Sequence, residues 1–297
     1  MVDGLSVERA ILANRLHGLD GGSTGSRSYP PSPVDFLLEC IGFPPTQDLD
    51  ELKRRILERG DTVAWRGPLG VHLRYPLAPE IEVRLDGEEG EELWTLWPHH
   101  ESRRRLRVAL QTTEPLPDSP YDLLLSGTAN PPLPPGVAND REEDVGLDYP
   151  IVTYLSDARR LPKDLPRGHV LAISVSGFAL DVTYVGPNEG VRDPYVLEEP
   201  SGAHLLPVSG DGSPGGCMEL SLRIRQTSRY VNPLSGETFL LLEADAPGRP
   251  LDLFVSRWQL EADGHGLPRP GWRIEGAFLF TGRVSGGLPR PNRPPSR

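Results

Sequence analysis

This chain of 297 residues has little lysine and cysteine and lacks long apolar runs. Lys53 and Lys163 are the only lysines, so arginine supplies 29 of the 31 basic residues. Such a skew, spread over the whole chain, is expected of a GC-rich, bacterial genome rather than of one chemistry. Even so, the formal net charge is −11, which opposes sequence-independent binding to phosphate backbones or anionic membranes. Cys40 and Cys217 lie far apart and cannot form the dense disulfide frame of a small secreted domain. The apolar stretch between Arg167 and Asp181 falls well short of the roughly 20 residues a membrane helix needs, and the longer uncharged stretch between Asp122 and Asp140 is broken by prolines. The opening "MVDGLSVERAIL" has neither the basic start nor the apolar core of a signal peptide. The expectation is a soluble, cytoplasmic protein without a membrane partner.

Catalytic signatures are scarce as well. "GGSTG" at 21–25 matches the G-x-S-x-G of a nucleophile elbow, but that motif needs a strand before it and a helix after it. Here a helical pattern precedes and "SRSYPPSP" follows, so the segment reads as a flexible connector. No P-loop occurs, nor a G-x-G-x-x-G after a strand. "WPHHESRRRLRV" begins an H-E-x-x-H zinc motif at His100-Glu101, yet position 104 is arginine. Neighbouring His99 and His100 would face opposite ways on a strand. A metal-assisted hydrolase built on His99, His100 and Glu101, with His72 helping, is therefore kept as an alternative. The acidic run "NDREEDVGLD" has oxygen donors but not the spacing of a calcium loop. Cys217 reads as a buried thiol, and no cofactor is expected.

What the chain does have is clear periodicity. "SVERAILANRL", "SPVDFLLECIG" and "TQDLDELKRRILERG" read as helices, the last with Leu49, Leu52 and Ile56 on one face and acidic residues in its first turn. From residue 61 the period becomes two, with Val71/Leu73/Tyr75, Ile81/Val83/Leu85 and Leu106/Val108/Leu110 as inward sets. Arg105 and Arg107 are expected to pair with Glu82 on a neighbouring strand. The Pro-rich, acidic stretch 114–149 reads as a linker between a small helix-plus-sheet domain (32–113) and a β-rich domain (150–286), with 1–31 and 287–297 outside them. In the second half, "HVLAISV" and "FALDVTYV" are split at Gly177. "PRGHVLAISVSGF" and "RPGWRIEGAFLFTG" share a plan of turn, glycine, alternating strand and glycine, a hint of duplication. The fold class expected is α+β: short N-terminal helices, then mostly antiparallel β.

Residues 216–286 carry a long strand ending in "NPLSG", the pair "TFLLLEAD" and "PLDLFVSR", a short "WQLEADG" connector and "GWRIEGAFLFTG". That order resembles a five-stranded OB-type barrel. The resemblance implies a binding face on the middle strands, for oligonucleotides, oligosaccharides or proteins. Eight arginines against eight acidic residues over 217–286 give no electrostatic funnel for a nucleic-acid strand. The function expected is a non-enzymatic binding or assembly module for a protein or small ligand, with Arg223, Arg225, Tyr230 and Arg257 (the last on a neighbouring strand) as contact residues. Single-strand binding by the OB-like region remains a further alternative.

Overall fold

The computed structural model describes residues 34–62, 71–87, 94–116, 119–132, 147–156, 161–162, 165–187, 203–208 and 215–288. The first helical segment, "GGSTG", most of the acidic run and the C-terminal tail lie outside these residues.

Two of the expected helices are present. Helix α1 spans Val34–Glu39 and is followed by a turn in which Gly42 takes φ +86, a conformation that glycine enters without a Cβ penalty. Helix α2 spans Leu49–Arg59; Asp48 caps it by accepting from the backbone N–H groups of Asp50 and Glu51, and Gly60 ends it. Leu52 and Ile56 are its buried face. A third helix, α3 (Arg257–Ala262), is capped by Ser256.

The rest is mainly antiparallel β-sheet. Strands β1 (Asp61–Thr62), β2 (Val71–Ala78), β3 (Ile81–Gly87) and β4 (Trp94–His100) form a four-stranded meander. Among the described residues, nine further strands form the main sheet: β5 (Leu106–Leu116), β6 (Ser119–Ala129), β7 (Tyr149–Leu155), β8 (Val170–Pro187), β9 (His204–Pro207), β10 (Cys217–Val231), β11 (Thr238–Asp245), β12 (Leu251–Val255) and β13 (Trp272–Gly286). Their order is β11-β12-β8-β5-β6-β7-β13-β10-β9, and β10 also pairs with β11 while β8 also pairs with β13. The two extra pairings close two hydrogen-bonded circuits of five strands, β10-β11-β12-β8-β13 and β5-β6-β7-β13-β8.

The circuits repeat one plan. Each starts with a long strand containing a register shift, between Leu110 and Thr112 in β5 and between Ile224 and Gln226 in β10. Two further antiparallel strands follow, and then a long fourth strand, β8 or β13. The third strand of each set runs parallel to the fourth strand of the other: Leu253 lies opposite Gly177, and Leu155 opposite Gly282. The two fourth strands pair antiparallel at the centre, where Ser176 faces Thr281. The segments sharing a plan in the sequence thus become the two central strands, in matching places.

Several expectations change. Residues 217–286 supply only four strands, and β8, from outside that range, completes their circuit, so they form no OB-type barrel by themselves. Residues 119–129, read as linker, are strand β6 because "YDLLLSGTA" finds partners on both sides. Gly177 does not split a strand. β8 runs unbroken through it, and a Cβ there would come within 2.5 Å of the Phe280 ring and 2.7 Å of Leu253. Arg105 precedes β5, and β5 pairs with β6 and β8, so Glu82 ion-pairs with Arg84 and Arg74 instead. In β2 the buried residues are His72, at 3% exposure, and Leu77, while Leu73 and Tyr75 are only half-buried. One apolar core runs from Leu37 and Leu52 through Ile81, Val83 and Leu85 to Leu106, Val108 and Phe280.

Candidate functional site

Residues directly opposite each other in a sheet share a face, and one such row crosses eight strands. It reads Glu114, Leu124, Tyr154, Thr281, Ser176, Asp252, Glu243, Gln226. The half from Ser176 to Gln226 is polar throughout. Over it lies the end of the four-stranded meander, which delivers His100 and the segment that follows.

The result is a cleft of about 350 Å³ between Glu80, His100, Arg103 and Arg104 on one side and Gln226, Ser228, Tyr230, Glu243 and Asp252 on the other. Its volume falls in the range of small-molecule sites. At its base, His100 Nδ1 lies 2.8 Å from Ser176 Oγ and 3.9 Å from the Asp252 carboxylate. That carboxylate also accepts from Ser102 Oγ at 2.5 Å and sits 3.4 Å from Arg104. Arg104 bridges to Glu243 as well, and Arg103 pairs with Glu80. Glu80 holds its β2–β3 turn at φ +66, a left-handed conformation that costs a side-chain-bearing residue roughly 1 kcal/mol. The Phe254 ring stands edge-on to His100 at 5.2 Å, and Tyr230 stacks on Phe239 at 5.6 Å. Burial is the main reason the His100 imidazolium is disfavoured; Asp252 and Glu80 oppose that shift, and Arg104 adds to it.

The expected contact residues divide. Tyr230 lines the cleft. Arg225 stands beside it through Glu243, at 3.4 Å, and shares Asp245 with Arg223. Arg257 is not on a strand but opens α3, where it pairs with Glu261 at 2.6 Å. The residues sequence reasoning missed, Asp252, Ser102, Ser176 and Glu243, come from separate segments and carry no local pattern. The pairing that gathers them was their only signal.

His99, His100 and Glu101 do not converge. His99 lines a void of about 30 Å³ beside Trp97, Asp122 and Tyr154, His100 turns to Ser176, and Glu101 pairs with Arg283 at 3.3 Å. His72 is held at 2.7 Å by Asp86. Among the described residues, no three His, Cys, Asp or Glu side chains could hold one metal ion. The void at His99 lies on the other half of the cross-strand row, where Trp97 packs edge-on against Tyr154 at 5.6 Å. Each histidine of the adjacent pair thus serves one of the two matching faces. Cys217 is buried at a strand start, with its thiol pushed up to about 12 by burial; Cys40 is buried too and donates to the Ala179 carbonyl.

No family model, curated protein or solved structure matches this chain.

Proposed function

We propose that this protein is a non-catalytic binding module that seats a small polar ligand in the cleft over β10, β11 and β12. The observation that supports it is convergence. Polar side chains from the β2–β3 turn, the segment after β4, β10, β11 and β12 meet in one concavity, at whose rim Glu80 bears a strained backbone. The carboxylates and guanidinium groups there bind one another, and both thiols are buried, so the site offers recognition rather than a primed nucleophile.

The order of connections adds support. The β10-β11-β12 meander, then α3, then β13 follows an OB barrel whose last strand is replaced by β8. In that fold, ligands lie on the middle strands. Function follows the site and not the fold, so this support is analogy.

A fragment screen by protein-observed NMR tests the proposal, using Ser228→Trp to plug the cleft from an outward, half-buried position. Hits should perturb amides of β10–β12 and should lose at least tenfold in affinity in the plugged variant at unchanged Tm. Hits that map elsewhere, or that ignore the plug, would refute it.

A further inference from the structure

The charged groups of the cleft are already matched: Arg103 to Glu80, Arg104 to Glu243 and Asp252, and Asp252 also to Ser102. The neutral groups are the open ones. Gln226, Ser228 and the Tyr230 hydroxyl make no hydrogen bond to another described residue, and all three side chains lie on the cleft wall. His100 is 7% exposed and its Nδ1 is engaged, which leaves Nε2 as the nitrogen turned to the cleft. The nearby Asp252 carboxylate favours the tautomer in which Nδ1–H donates to Ser176, so Nε2 presents a lone pair. A charged ligand meets groups whose charge is already offset by a partner, which weakens its net attraction to the cleft. An uncharged ligand rich in hydroxyls meets an acceptor at His100, three groups that both donate and accept, and an aromatic ring already braced by Phe239.

We infer that the cleft takes an uncharged polyhydroxy ligand of mono- or disaccharide size, with one ligand hydroxyl donating to His100 Nε2. This rests on the cleft being the ligand seat. Saturation-transfer NMR, followed by titration calorimetry, tests it on the full chain. The probes are maltose, sucrose and N-acetylglucosamine, set against anionic glucuronate and cationic glucosamine. At least one uncharged sugar should bind, with Kd unchanged within twofold between 20 and 500 mM NaCl. That affinity should fall at least tenfold in Tyr230→Ala and His100→Phe, and severalfold in Ser228→Ala, which leaves folding undisturbed. The charged sugars should bind at least tenfold more weakly. Tighter, salt-sensitive binding of a charged sugar would overturn the ligand class. If Tyr230→Ala still abolishes that binding, the seat itself stands. No binding by any uncharged sugar at 20 mM also overturns the inference, and binding that survives both Tyr230→Ala and Ser228→Trp removes the seat as well.

Discussion

At the scale of single residues, His100 makes the molecule sensitive to mild acid. Burial lowers its pKa below the ordinary 6.5, so the unfolded chain takes up a proton near that pH while the folded ring still refuses it. Stability contributed by the neutral ring is complete above about pH 6.5 and declines as pH falls, by at most about 1.4 kcal/mol per pH unit. Urea unfolding at pH 7.5, 6.5 and 5.5 should show this decline, and His100→Gln should flatten it. Gly177 offers a second test. With Phe280 and Leu253 inside 3 Å of a new Cβ, Gly177→Ala should cost about 1–3 kcal/mol, read as a drop in Tm without loss of secondary structure. The buried thiols should resist a disulfide reagent at pH 8 until denaturant is added; fast labelling of either in the native protein would contradict their burial.

At the scale of elements, much was legible because local chemistry decided it. Helix α2 carries its own instructions in the Asp48 cap and the Leu52/Ile56 face, and Asp48→Ala should cost about 1 kcal/mol. The inward sets Ile81/Val83/Leu85 and Leu106/Val108/Leu110 are buried as alternation requires. The "NPLSG" turn forms as its residues suggest, but its larger role was hidden. Asn232 is fully buried; its amide donates to the Ile41 carbonyl at 2.9 Å, and its oxygen accepts from the Leu234 N–H. One side chain thus ties the β10–β11 hairpin to the end of α1. Asn232→Ala leaves those buried partners unmet and should destabilise by about 2–3 kcal/mol in chemical denaturation. Residues 119–129 misled because flanking prolines imitate a linker, while a strand's identity depends on neighbours that are remote in the chain. The cleft was hidden for the same reason: Tyr230 stood out as an aromatic on an outward position, but Asp252 and Ser176 become a site only through the parallel pairing of β12 with β8.

At the scale of the whole molecule, β8 and β13 belong to both circuits. Neither set of four strands can complete its ring alone, because each needs the other's last strand. Residues 1–194 and 195–297, expressed as two separate chains, should each fail to fold alone, judged by circular dichroism. Co-expressed, they should purify together as a one-to-one complex with the cleft restored. Independent folding of either piece would contradict the shared core.

The shared fourth strands also bear on descent. With the connection after β8 cut, the hydrogen-bonding pattern is that of a dimer in which two like chains each lend a final strand to the other's ring while keeping it in their own. Fusing the two copies into one gene frees each face from the demand that they stay identical. One can then keep an open cleft beside His100, while the other is narrowed to a small void by the half-buried Trp97 and Tyr154.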